Sequence, residues 1–131
     1  MWWTVFGDPQ RWAKWREPLE ALYERYLPDE RRGPNAVPAP MQVAARTAEL
    51  AAGGWFGPVR VEIIRWEHRL TPDAARRLWA TFSNVRELPV ARRDQFLDGV
   101  AELVGRQSGG VVTDNYVTTL YTAQRRPDAH L

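Results

Sequence analysis

Hydrophobic and polar positions along the chain change period several times, and each change marks an element. Trp2 to Phe6 (WWTVF) is a dense apolar run that predicts a buried strand beginning at the second residue. Gly7-Asp8-Pro9 ends it, and Asp8 before Pro9 predicts a helix start, with the carboxylate as cap and proline at the first helical position. Trp12, Trp15, Leu19, Leu22, Tyr23 and Tyr26 then recur at spacings of three and four. They predict a helix over 9–26 with one aromatic and aliphatic face, kinked or divided at Pro18. Residues 27–40 (LPDERRGPNAVPAP) hold four prolines, a glycine and a charge cluster. They predict a loop, either a lid or a solvated connector. Helical periodicity returns over 42–52 and stops at Gly53-Gly54.

The longest strand-forming run follows, Val59 to His68. Val59, Val61 and Ile63 fall on one face, Ile64 and Trp66 on the other, which predicts a strand covered on both sides at the centre of a layered α/β sheet. Thr71-Pro72 predicts the cap and first residue of a helix over 74–82, ended by Ser83-Asn84. Another helix over 90–105 carries the stripe Phe96, Leu97, Val100, Leu103 and Val104. After Gly109-Gly110, Val111 to Gln124 (VVTDNYVTTLYTAQ) is β-branched and aromatic almost throughout and predicts a second long strand. The intervening segment is long enough for a parallel crossover or an antiparallel return. Direct antiparallel pairing with Val59–His68 is the expectation, because both strands would otherwise leave ladder groups unpaired.

Composition narrows this picture. A length of 131 residues with 44% apolar content predicts a single domain over 1–131 with one core, and residues 126–131 read as a frayed tail. Seven tryptophans are many for this length, and each brings a large apolar ring with one N–H to satisfy. Cysteine is absent, which excludes disulfides, thiolate nucleophiles and cysteine metal sites and makes a reducing cytoplasm the default location. The net charge is +2, and every basic residue except Lys14 is an arginine. The arginines are scattered as short pairs, so no basic run follows a phosphate backbone and no nucleic-acid partner is expected. No segment is long and apolar enough to span a bilayer, and the start lacks the plan of a signal peptide, so no membrane partner is expected either.

The ordered set WWTVFGDP, the helix of Trp12 to Tyr26, GGWFGPVRVEIIRWEHRLTPD, TFSNVRELPVARRDQFL and NYVTTLYTAQRR resembles the C-terminal half of class I S-adenosylmethionine-dependent methyltransferases. The likeness is to the small-molecule group that includes trans-aconitate methyltransferase and the methyltransferase type 11 proteins. It spans nearly the whole chain, with WFGPVRVEIIRWEHRLT its most characteristic stretch. It implies a partial Rossmann-like sheet, a short N-terminal strand plus an antiparallel pair of long strands, with about four flanking helices. The three strands then correspond to the fifth, sixth and seventh of the family, the seventh inserted antiparallel between the other two. The family's cofactor elements, a first strand, a G-x-G-x-G turn and an acidic residue ending the second strand, have no counterpart here. A strand opening at residue 2 likewise hints at sequence missing upstream. The expectation is a chain that binds no S-adenosylmethionine alone, whether as a split product, a mis-assigned start, a truncated paralogue or the partner of a separate cofactor-binding chain.

The resemblance places a small-molecule acceptor against Trp66, Trp79, Ser83, Asn84 and Tyr116, where aromatic walls exclude water and a few polar groups orient the substrate. Core packing or capping is the plainer role for each of them. His68 is the one internal histidine, the residue type suited to general-base work, which makes it the candidate general base, but no metal-spaced partner accompanies it. Glu67 is expected to pair with Arg65 or Arg69 at the surface, and His130 lies in the tail. If an N-terminal half is absent, a homodimer hiding Trp2, Trp3 and Phe6 is expected. The alternative to an enzyme portion is a stand-alone binding or protein-interaction module that uses the same aromatic surface.

Overall fold

The structure is a computed structural model that describes the backbone of residues 2–30 and 37–127 and side chains from residue 7 onward. Expectations for 31–36, for 128–131 including His130, and for the side chains of Trp2, Trp3 and Phe6 lie outside the described residues. The chain is mixed α/β. Its sheet comprises β1 (Trp2–Gly7), β2 (Arg60–Leu70) and β3 (Val112–Thr122) in the order β1-β3-β2. The helices are α1 (Arg16–Tyr26), α2 (Val43–Ala52), α3 (Pro72–Ala80), α4 (Ser83–Arg86) and α5 (Val90–Gly105).

Strand β1 pairs antiparallel with β3, from Trp2 opposite Tyr121 to Gly7 opposite Tyr116. On the other side of β3, the approach to β2 runs antiparallel as well. Phe56 bridges Arg125, the Gly57 amide donates to the Gln124 carbonyl at 2.8 Å, and Trp66 meets Tyr116 and Thr118 farther back along the strand. The expected direct pairing of the two long strands is thus present. Their places differ from expectation: β3 is the central strand and β2 an edge, so β2 is not covered on both sides. Ile63, Ile64 and Trp66 are 41%, 48% and 37% exposed. Apolar residues on both faces of β2 stand beside five charged ones, and those charges need the water that an edge supplies. The buried centre goes to β3, whose threonines and tyrosines pack well on a pleated surface.

The chain divides into two compact units, one comprising 1–8, 37–66 and 116–131, the other 9–36 and 67–115. In the first, a 3₁₀ turn (Ala39–Met41) leads into α2, and the Tyr121 hydroxyl donates to the Pro40 carbonyl at 2.5 Å. Gly54, with φ of 64°, takes the left-handed conformation that ends α2, as glycine there predicts.

The second unit holds a core in which α1 and α3 pack against α5. Leu19, Tyr23, Trp79, Phe96 and Val100 are its buried centre. Tyr23 and Tyr26 meet Phe96 edge-on at 5.3 and 5.9 Å, and the Trp79 indole donates to the Tyr23 hydroxyl at 2.7 Å. Two element boundaries depart from expectation. Residues 9–15 are not α-helix: Pro9–Arg11 is a 3₁₀ turn, and α1 begins at Arg16. Pro18 fixes that start, since its ring would clash with a helical carbonyl four residues earlier and is tolerated only in the first turn. Ser83-Asn84 opens α4 instead of ending α3, which stops at Ala80. Thr71 does cap α3, its hydroxyl accepting from the Ala74 amide at 3.2 Å.

Candidate functional site at the end of the first strand

In open α/β sheets, ligands gather at the carboxyl ends of the strands that run parallel. In this chain the corresponding place is the end of β1, where Gly7 lies opposite Tyr116 and presents no side chain. Pro9 has no amide hydrogen to extend the ladder, so the strand stops there. Asp8, read from sequence as a helix cap, instead turns inward. It is 1% exposed, and one carboxylate oxygen accepts from Arg65 Nε at 3.1 Å. The Arg65 side chain is itself 35% exposed, so this ion pair has a buried anion and a partly open cation.

Beside Arg65, the Trp66 indole stacks on the Tyr116 ring, with centroids 4.9 Å apart and planes 21° from parallel. Its N–H donates to Thr118 Oγ1 at 2.9 Å. Stacking and hydrogen bond together fix the indole, which leaves a rigid, partly exposed aromatic surface. Residues 65 and 66 are consecutive in a strand and point to opposite faces. The end of the sheet therefore carries an aromatic stack on one face and the Asp8–Arg65 pair on the other. The Trp66 face can hold a flat or apolar group by stacking, while the Asp8–Arg65 pair lies on the other face of the sheet from it.

Of the five expected site residues, the structure brings together Trp66 and Tyr116. Trp79 is 1% exposed, bonded to Tyr23 and set edge-on to Trp15 at 5.9 Å, so it serves the core of the second unit. Asn84 lines an open cleft of about 280 Å³ with Tyr26, Asp29, Glu30 and Glu87. Its side-chain oxygen accepts from the Val85 amide at 2.9 Å. Ser83 lines a neighbouring cleft of about 460 Å³ with Arg86, Glu87 and Arg93. Both clefts are too open to enclose a substrate. Glu67 meets Arg11 at 4.0 Å, whereas Arg65, one of its two expected partners, is engaged by Asp8. His68 is partly buried, and no cluster of three metal-ligating side chains occurs among the described residues.

Sequence reasoning missed the Asp8–Arg65 pair. The available signal was an acid flanked by Gly7 and Pro9 at a strand end, where a cap and a buried ion-pair acid look alike. The left-handed glycines Gly54, Gly109 and Gly110 all follow helices and precede strands, and the one strand-to-helix junction with a glycine continues into Pro9, which has no N–H to offer a phosphate-like or carboxylate group. No helix among the described residues is long and apolar enough to cross a membrane. No family model, curated protein or solved structure matches this chain.

Proposed function

We propose that this chain is the substrate-side portion of an S-adenosylmethionine-dependent small-molecule methyltransferase, and that it transfers no methyl group without a cofactor-binding half. The observation that carries this reading is the strand order. A late strand, β3, lies between β1 and β2 and antiparallel to β1, the arrangement the sequence resemblance implies for the seventh strand between the fifth and sixth. The Trp66–Tyr116 stack at the end of β1 supplies the acceptor wall: it holds an apolar acceptor in one orientation and keeps water from it. Ser83, Asn84 and Trp79 support the elements around their own clefts and core, and the acceptor surface in this reading is Trp66 with Tyr116.

Isothermal titration of the 131-residue chain with S-adenosylmethionine is expected to give no saturable heat in near-physiological salt. Methyl transfer is expected only when a polypeptide bearing a strand, a G-x-G-x-G turn and a helix is supplied in cis or in trans. With that complement, Trp66→Ala lowers kcat/KM by about tenfold or more through lost positioning. The fold is retained, because the indole is already partly exposed. Micromolar binding of the cofactor by the chain alone overturns the reading.

A second reading, a non-catalytic binding or protein-interaction module, is favoured by the open Ile63, Ile64 and Trp66 side chains on β2. The DNA upstream of Met1 separates the two. An in-frame or adjacent stretch encoding a strand followed by G-x-G-x-G favours the enzyme portion, and its absence favours the module.

A further inference from the structure

Strand β2 is the longer of the two sheet edges, with 11 residues against 6 in β1. Natural edges are blunted by short length, proline, charged side chains or a covering element. Over Arg60–Trp66 the strand contains neither proline nor lysine, and Ile63 and Ile64 are 41% and 48% exposed. Being consecutive, those two isoleucines project from opposite faces of the sheet. A helix or small ligand lying on one face can cover only one of them, whereas another strand added at the edge covers both.

The charges on this stretch narrow the identity of that strand. Arg60 pairs with Glu62 at 2.8 Å and Arg65 with Asp8 at 3.1 Å, so each cation is balanced within its own chain and a second copy meets no net repulsion. In a two-fold antiparallel pair, facing residues share a sheet face, so the axis must pass through a residue and not between two. Centring on Glu62 or Arg65 sets like charges against each other. Centring on Ile63 aligns Arg60–Trp66 with its copy over the whole stretch. Ile63 then meets Ile63 of the second copy, Glu62 meets Ile64, Val61 meets Arg65, and the Arg60 guanidinium lies over the open Trp66 ring.

We propose that this chain forms a homodimer by antiparallel pairing of β2 with β2 of a second copy, centred on Ile63. The interface differs from the one expected at Trp2, Trp3 and Phe6, and it uses the Trp66 ring that the methyltransferase reading assigns to the acceptor. Two measurements test it. Sedimentation or light scattering at about 50 µM is expected to give the dimer mass, and Ile63→Lys, at a position already open to water, is expected to weaken dimerisation by about tenfold or more with the circular dichroism spectrum unchanged. Because the chain has no cysteine, Ile63→Cys is expected to form an intermolecular disulfide on mild oxidation. Val90→Cys, at a 63% exposed position outside the strand, is expected not to do so. A monomer mass at that concentration overturns the proposal. So does a dimer that Ile63→Lys leaves intact, or one in which the two cysteine variants cross-link equally.

Discussion

Arg16 and Asp114 form an ion pair almost closed to water. Arg16 Nε donates to one carboxylate oxygen at 2.7 Å and Nη2 to the other at 2.5 Å, and the two side chains are 7% and 0% exposed. The guanidinium also lies 5.0 Å from the Trp12 ring centre and 5.8 Å from that of Trp15, which gives a desolvated cation aromatic faces to rest against. A pair of this kind adds little net stability over apolar residues of the same volume, yet losing one member strands a buried charge. Asp114→Asn is accordingly expected to lower unfolding free energy by about 3–5 kcal/mol in denaturant titrations, whereas the double change Arg16→Met with Asp114→Leu restores most of the loss. Thr119 makes the opposite case: it is buried at 0% exposure, and its hydroxyl finds no partner among the described residues. Thr119→Val is expected to raise stability by about 1 kcal/mol in the same titration. At this scale the sequence was legible where periodicity is strong, as at Phe96, Leu97, Val100 and Val104. Neither Asp8 nor Asp114 announced itself, since a buried acid is recognised only by a partner far away in sequence, 57 residues for Asp8 and 98 for Asp114.

Helix ends and strand ties show how elements acquire their limits. The bounds of α5 and the cap of α3 were readable from local chemistry, Pro89 before the first turn of one and Thr71-Pro72 at the start of the other. The start of α1 was misplaced because the tryptophan spacing continues upstream of Pro18 while the backbone cannot. Centre and edge were exchanged between β2 and β3 for a related reason. Apolar content suggested β2, but the position of a strand in a sheet depends on how many of its charges must reach water. At the far end of β3, the Tyr121 phenol is tied to the Pro40 carbonyl and buried; burial raises its pKa, and the guanidinium of Arg46 opposes the rise. A raised value means that the folded state favours the protonated phenol. Its contribution is therefore complete below the ordinary tyrosine pKa of about 10 and is lost as pH climbs through the folded value. Unfolding curves measured across that alkaline window are expected to show a decline that Tyr121→Phe makes shallower. The same variant loses about 1 kcal/mol at neutral pH with the hydrogen bond.

Across the whole molecule, β3 is the only strand among the described residues with a neighbour on each side. Amide hydrogen exchange is expected to follow that asymmetry, slowest in β3 and faster in β1 and β2, each of which has a single strand neighbour in the described sheet. Equal protection in β2 and β3 of a monomeric sample would contradict the sheet order. The mixed α/β class and the direct pairing of the long strands were legible from patterning, but the order of strands was not, because periodicity reports burial and does not name neighbours. That order has a consequence for synthesis. Trp2 finds its partner in Tyr121, far later in the chain, and β2 also waits for β3. Neither strand pair of the described sheet closes until β3 has been translated, and contacts so distant in sequence form slowly. Throughout that interval two nascent strands stand without their β3 partner, so yield in the cell should depend on chaperone supply and on the speed at which β3 is translated.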